Sequence, residues 1–194
     1  MTTPPLRPIT GQRLHELQAG KVPLMVFDCS YDPARPSWGL EQYRAIHIAG
    51  AVYADLDRDL SAPHGAPDAR GRVIVAAQAG HPVARGRFPL PDKERFAVWL
   101  CSVGFRNDMT AVVYDRRGEH VSARLCWMLR WVGHEAVLPL VGGLEGLRAA
   151  GGLLRGTAPE ADDHESEPTH FQSEFVVGPA LPPTLDTPPP LTDG

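Results

Sequence analysis

The chain alternates short apolar runs with amphipathic segments. Two runs, 24–28 and 111–114, are apolar almost throughout, which is typical of parallel strands buried on both faces. Shorter strands are predicted at 50–53 and 136–141. Between the strands, apolar residues recur at helical spacing, which predicts helices over 9–19, 38–46, 92–103, 121–131 and 144–150. Because strands that alternate with helices form parallel sheets with right-handed crossovers, the pattern predicts one α/β domain. We expect its core to include Val26, Phe27, Val112, Val113, Leu125 and Leu129.

Polar residues and glycine mark the ends of the predicted helices. Thr10, Ser37 and Asp92 lie at or just before the start of helical segments and are candidate N-caps. Gly104 follows the third helix at the position where a left-handed residue commonly ends a helix. These signals support the helical boundaries that the apolar spacing predicts.

The segment 111–131 organises the rest of the chain. Its strand runs into a polar loop, 115–120, that leads directly into an amphipathic helix. The first N–H groups of a helix have no partner within it, and the helix dipole favours negative charge there. In parallel α/β sheets, ligands bind at the carboxyl ends of the strands. The loop is therefore either an anion-binding site or a plain connection with solvated arginines, and the segment alone favours neither interpretation.

This loop resembles the active-site loop of the rhodanese family, which has the pattern Cys-Arg-x-Gly-x-x followed by a helix. Arg116 and Gly118 match the pattern, whereas Asp115 stands at the position of the catalytic cysteine. The resemblance is closest to the N-terminal half of tandem rhodaneses, where a Val-Val-Tyr-Asp segment without cysteine is usual.

Three further segments resemble motifs of the same family, in the same order. They are HIAGA at 47–51, LRWVGH at 129–134 and VGGL at 141–144. The last departs from the family pattern, because Val141 replaces the usual Asp and Leu147 the usual Trp. The resemblance extends over about residues 24–152 and implies a three-layer fold with a mostly parallel central sheet and helices on both faces.

The resemblance implies sulfur transfer through a persulfide, which a carboxylate cannot form. With Asp115 at the nucleophile position, we expect a catalytically silent domain that binds a partner or a small sulfur anion. The partner that the resemblance implies is a second rhodanese-type chain or another protein. The expected ligand-binding loop comprises Arg116, Arg117, Gly118, Glu119, His120 and Val121. We expect no cofactor and no metal.

Two enzymatic alternatives remain open. A sulfurtransferase could act through another thiol or with a separate catalytic chain, and Cys29 is the thiol nearest to a strand's carboxyl end. An aspartyl nucleophile at Asp115 is the second alternative, although no metal-holding acids lie beside it in the sequence. The alternating acids Asp55, Asp57 and Asp59 lack the Gly and distal Glu of a calcium loop.

Composition limits the environment and the partners. The chain has 194 residues, with three cysteines and no apolar run long enough to span a membrane, and its N-terminus lacks the apolar region of a signal peptide. We therefore expect a reduced, cytoplasmic protein without membrane contact. The net charge is +4 up to residue 156 and −8 beyond it. No interleaving of basic and aromatic residues accompanies the basic part, so nucleic acid is not an expected partner.

Composition also predicts the domain organisation. Residues 1–156 form the predicted domain, with a long loop at 61–91 that is rich in Gly, Pro, Ala and Arg and contains one apolar patch at 73–75. Residues 157–194 are acidic and rich in proline, with Phe171 and 175–177 as the only apolar patch, and we expect this tail to be disordered or loosely docked. Arg124 and Trp127 are candidate interface residues, and the competing interpretation is that Trp127 belongs to the core.

Overall fold

A four-stranded parallel sheet in the order β3-β1-β4-β5 forms the centre of the protein. The computed structural model describes residues 5–62, 88–117, 120–156 and 175–178. The strands are β1 Leu24–Asp28, β2 His47–Ile48, β3 Ala51–Tyr53, β4 Thr110–Tyr114, β5 Val137–Pro139 and β6 Leu154–Arg155. The helices are α1 Gly11–Ala19, α2 Trp38–Ala45, α3 Lys93–Ser102, α4 His120–Trp131 and α5 Gly143–Ala149.

The two central strands send alternate side chains to opposite faces of the sheet. Val26 lies opposite Val112 and Phe27 opposite Val113 in the parallel register of β1 and β4. Phe27 and Val113 pack with residues of α3 and α4, whereas Val26 and Val112 pack with residues of α1 and α5. All six core residues expected from the sequence are buried. The predicted fold, a parallel sheet between two helical layers, is confirmed.

Two of the three predicted N-caps accept a hydrogen bond from the helix. The Thr10 side chain accepts from the backbone N–H of Arg13, and the Asp92 side chain accepts from that of Arg95. Ser37 also lies at the N-cap position of α2, but its backbone is helical and its hydroxyl donates to Glu41 Oε1 at 2.8 Å, so its side chain makes no capping bond. Because the Ser37 hydroxyl bonds to Glu41, one turn further along the helix, it does not accept a hydrogen bond from the first backbone N–H groups of α2.

The structure contains a second, antiparallel sheet that the sequence did not predict. His47 pairs with Arg155 and Ile48 with Leu154, so β2 and β6 form a two-stranded ribbon. Strands of two residues are too short to show the alternation that identifies a strand in a sequence. The same limit applies at Ile9, which was predicted to be helical but forms a parallel bridge with Leu140 beyond the end of β5.

Two segments beyond the central sheet bear on the predicted domain organisation. The ends of the long loop are joined where the Ala62 N–H donates to the Pro89 carbonyl at 2.9 Å. The apolar patch at 73–75 lies outside the described residues. In the tail, residues 175–178 pack against the domain and Phe175 is buried. The domain boundary at 156 stays a prediction. No helix in the part of the chain that the structure describes is long and apolar enough to cross a membrane.

Candidate functional site

The candidate site lies at the carboxyl ends of β1 and β4, where Asp28 closes one strand and Asp115 follows the other. Asp115 to Arg117 form the first half of the loop, and α4 begins at His120, which is exposed. Gly118 and Glu119 lie outside the described residues. The loop therefore joins a central strand to a helix N-terminus, as the sequence predicts.

The Asp115 carboxylate accepts hydrogen bonds from the backbone on both sides of the loop. Its Oδ1 lies 3.1 Å from the backbone nitrogen of Arg117, and its Oδ2 lies 3.0 Å from that of Ser122. Ser122 is in the first turn of α4, where an N–H has no acceptor within the helix. A carboxylate at a helix N-terminus also interacts favourably with the helix dipole. The chain thus supplies its own anion to these donors.

The two arginines of the loop are engaged with other acidic residues. Arg116 is largely buried and its Nη2 donates to Asp28 Oδ2 at 3.4 Å and to the carbonyl of Ile46. Arg117 pairs with Asp32 and lies over the ring of Trp38, with its guanidinium carbon 5.4 Å from the ring centroid. Both cations are therefore already paired with protein groups, which lowers the attraction that the loop offers to an external anion.

Asp28 and Tyr114 form a buried polar pair beneath the loop. The Tyr114 hydroxyl donates to Asp28 Oδ2 at 2.6 Å, and Asp28 Oδ1 accepts from the backbone N–H of Ser30 at 2.9 Å. Both side chains are almost completely inaccessible to solvent. Burial and the charge of Asp28 raise the pKa of Tyr114, so the hydroxyl keeps its proton at neutral pH. The network fixes the ends of β1 and β4 and positions Arg116.

Replacement of Tyr114 by Phe should destabilise the protein without a change in its fold. The variant leaves the buried Asp28 carboxylate without its shortest hydrogen bond, which costs about 1–3 kcal/mol. Urea denaturation followed by circular dichroism measures the loss. Tyr31→Phe is the matched control, because it removes a hydroxyl that donates to the partly exposed Asp57 and should cost less. Equal stability of the Tyr114 variant and wild type would contradict the structural role of the pair.

Among the described residues, no thiol combines exposure with a position at the loop. Cys29 follows the carboxyl end of β1, on the same side of the sheet as the Asp115 loop, but it is fully buried. Burial together with the charges of Asp115 and Asp28 raises its pKa well above the ordinary value. Burial raises the pKa of Cys126 to about 12. Cys101 lies near the end of α3, where its sulfur accepts from the backbone N–H of Phe175 at 3.3 Å. These positions give no support to the alternative in which Cys29 carries sulfur.

The reactivity of the thiols should follow their burial. In the folded protein at about pH 8 to 9, a thiol-specific disulfide reagent should modify at most Cys101, because the other two thiols are inaccessible and stay protonated. All three should react after denaturation. A Cys101→Ser variant serves as the control and should show no reactive thiol when folded. Rapid modification of Cys29 in the native protein would instead restore it as a candidate nucleophile.

His47 and the acidic turn after β3 have structural partners. The ring of His47 stacks on Tyr43 with centroids 4.1 Å apart, and its Nδ1 is 2.7 Å from the Tyr43 carbonyl oxygen. Asp55 and Asp59 accept hydrogen bonds from backbone N–H groups of their own turn. The described residues contain no group of three or more His, Cys, Asp or Glu side chains arranged to hold a metal ion.

The two candidate interface residues are both buried. Arg124 is 3% and Trp127 7% exposed, and the Trp127 ring stacks on Trp131 with centroids 5.6 Å apart. Their burial favours the core interpretation over the interface hypothesis. The Arg124 guanidinium donates to the carbonyls of Leu60, Phe88 and Pro89, at distances of 2.9 to 3.3 Å. Arg124 therefore holds both ends of the long loop, a role that its position in a helical pattern does not reveal.

Comparison with known proteins identifies the class of protein that this fold and loop define. The family model of the rhodanese-like domain matches residues 10–150. The chain belongs to this family. It is 38% identical over 144 residues to a protein described as "Probable 3-mercaptopyruvate sulfurtransferase" from Pseudomonas aeruginosa, and the match covers 74% of this chain and 45% of the relative. It is 32% identical over 133 residues to the thiosulfate/3-mercaptopyruvate sulfurtransferase 2 of Arabidopsis thaliana, covering 68% of this chain and 33% of that protein.

Solved structures agree with this assignment. SseA from Escherichia coli, whose structure describes the rhodanese fold of 3-mercaptopyruvate sulfotransferases, superposes with a TM-score of 0.62 at 25% identity. That superposition covers 90% of this chain and 56% of SseA. The chain thus spans about half the length, or less, of the sulfurtransferases that it matches. It is a rhodanese-like domain related to sulfurtransferases that carry additional chain.

Proposed function

We propose that this rhodanese-like domain is catalytically silent and forms the non-catalytic part of a sulfurtransferase. The observation that carries the proposal is the position of the Asp115 carboxylate, which accepts from the backbone N–H groups of Arg117 and Ser122. In this family those donors surround the sulfur-carrying residue, as the resemblance of the loop implies. Here the same donors stabilise a carboxylate.

The chemistry of sulfur transfer argues against catalysis at this loop. A thiolate attacks the sulfane sulfur of the donor and becomes a persulfide, whereas a carboxylate oxygen has no equivalent reaction. Asp115 also places negative charge where a dianionic donor such as thiosulfate would bind, and Arg116 and Arg117 are committed to Asp28 and Asp32. The loop therefore lacks the nucleophile that the reaction needs, and its two arginines, paired with carboxylates, attract an anionic donor only weakly.

The length of the relatives supports a role beside a catalytic unit. The Pseudomonas protein shares 38% identity with this chain over a match that covers 45% of its length, so more than half of that sulfurtransferase has no counterpart in the match. The proposed partner is a rhodanese-type domain, in the same or another chain, that carries a cysteine at the position of Asp115.

The three free thiols fit a reducing compartment, and we propose a cytoplasmic location on that basis.

Turnover assays with and without a catalytic partner test this function. Alone, the protein should form no thiocyanate above background from cyanide with either thiosulfate or 3-mercaptopyruvate. The segment of the Pseudomonas relative that lies outside the match, produced by itself, serves as the trial partner, and addition of this chain should raise its stability or turnover. Robust turnover by this chain alone would contradict the proposal, and its loss after alkylation of the cysteines would instead support the alternative in which another thiol carries sulfur. An effect of an unrelated domain equal to that of this chain would remove the partner role.

A further inference from the structure

Residues 175–178, Phe-Val-Val-Gly, lie in a groove near the amino-terminal ends of β4 and β5, whereas the Asp115 loop follows the carboxyl end of β4. The groove is formed by the end of α3, the turn before β4 and the turn after α4. Its residues are Cys101, Phe105, Asn107, Val132, Gly133 and His134, and we call it the clasp groove. None of these residues takes part in the loop at Asp115.

Hydrogen bonds hold the backbone of the segment at Phe175, Val176 and Gly178. The Asn107 side chain donates to the Val176 carbonyl at 3.0 Å and accepts from the Val176 N–H at 2.9 Å, so one amide satisfies both backbone groups. The Gly178 N–H donates to the Val132 carbonyl at 2.9 Å. The Phe175 N–H also donates to the Cys101 sulfur at 3.3 Å, so two side chains and the carbonyl of Val132 just after α4 bind the segment.

Contacts with the groove restrict the residue type at two of the four positions of the segment. Phe175 is 7% exposed and its ring centroid lies 5.8 Å from that of Phe105 and 6.2 Å from that of His134. At Gly178, an added Cβ would lie 3.1 Å from the Gly133 Cα, which is backbone and cannot rotate away. Val176, by contrast, is 65% exposed. The groove therefore selects the first and the last residue and leaves the second open to solvent.

We propose that the clasp groove is a peptide-binding site for extended Phe-x-x-Gly segments, which the chain's own residues 175–178 occupy. Its ligand class is a short linear peptide with an aromatic anchor and a glycine three residues later. This inference goes beyond the proposed function, because the groove lies at the amino-terminal ends of the strands and involves no residue of the Asp115 loop.

Variants of the full-length protein distinguish a groove that selects particular residues from nonspecific packing of the segment. Phe175→Ala should lower the melting temperature by about 5 °C or more, because it empties a buried aromatic position. Gly178→Ala should also lower it, since the added methyl group meets the backbone of Gly133. Val176→Ala is the matched control and should leave it unchanged within about 1 °C, as expected for an exposed side chain. Equal effects of the three substitutions would overturn the proposal.

A synthetic peptide tests binding directly. The peptide SEFVVGPA, which has the sequence of residues 173–180, should raise the melting temperature of the Phe175→Ala protein in a concentration-dependent manner. A peptide with alanine in place of phenylalanine should have no effect. The melting temperature of wild type should rise less, because its own residues 175–178 already occupy the groove. If the Phe175 variant does not fold, the Gly178→Ala protein takes its place. No shift with the phenylalanine peptide at millimolar concentration, or equal shifts with both peptides, would refute the site.

Discussion

An Asp115→Cys variant is expected to acquire the ability to take up sulfur from thiosulfate. The new thiol would face the backbone N–H groups of Arg117 and Ser122 that now bind the carboxylate. Backbone donors and a helix N-terminus stabilise a thiolate and can lower a cysteine pKa to about 7 or below. The thiolate would attack the sulfane sulfur, form a persulfide and release sulfite. We expect loading of close to one sulfur per chain, with low turnover because Arg116 and Arg117 remain paired with carboxylates.

Asp115→Asn is the control for this gain of function. The asparagine is nearly isosteric with aspartate and removes the negative charge, but it supplies no nucleophile. It should bind no sulfur, whereas Asp115→Cys should release its extra sulfur to cyanide. If the cysteine variant folds, reacts with a thiol reagent and still accepts no sulfur from thiosulfate, the loop does not form the anion-stabilising arrangement that we describe.

Replacement of Arg124 by Met should cause the largest loss of stability among the substitutions considered. The guanidinium is buried and donates to the carbonyls of Leu60, Phe88 and Pro89, and burial lowers its pKa to about 10, so it stays charged at neutral pH. Methionine retains much of the apolar volume but leaves three carbonyls without their donor. At about 1–3 kcal/mol for each unsatisfied buried group, partly offset by solvation, we expect a loss of about 3 kcal/mol.

The Arg124→Lys variant shows how much of this stability comes from the positive charge and how much from the shape of the guanidinium group. A single ammonium group keeps the charge but lacks the planar fork that reaches carbonyls on two segments, so its stability should fall between wild type and Arg124→Met. Chemical denaturation measures all three proteins. Limited proteolysis should also cleave near residues 60–62 and 88–90 sooner in the Met variant. A free energy of unfolding within about 0.5 kcal/mol of wild type would show that Arg124 does not hold these segments.

Much of the fold is predictable because its signals are local. The apolar runs that became β1 and β4, and the caps Thr10 and Asp92, are visible without any tertiary information. The β2 and β6 ribbon is not, because His47 and Arg155 are far apart in sequence and each strand has only two residues. The docking of Phe175 was also hidden, since a short apolar patch in a polar, proline-rich tail gives no indication of the groove that binds it.

The strand-loop-helix arrangement around Asp115 was predictable from the sequence, but the contacts of its side chains were not. The motif placed Asp115 between a strand and a helix, and the structure shows the same arrangement. The pair formed by Asp28 and Tyr114 joins two strands that are adjacent only in the folded sheet. An aspartate that closes an apolar strand was nevertheless a usable signal, because a buried carboxylate requires hydrogen-bonding partners. Arg124 gave no such signal, since most arginines on helices are solvated.

The mass of the wild-type protein after exposure to a sulfur donor tests the central claim most directly. Protein incubated with thiosulfate or 3-mercaptopyruvate is desalted without reductant and examined by intact-mass spectrometry. Because a carboxylate occupies the position of the sulfur carrier, Cys29 and Cys126 are buried and stay protonated, and Cys101 lies away from the loop, the mass should remain unchanged. A mass increase of one sulfur atom in wild type that cyanide removes would contradict the account.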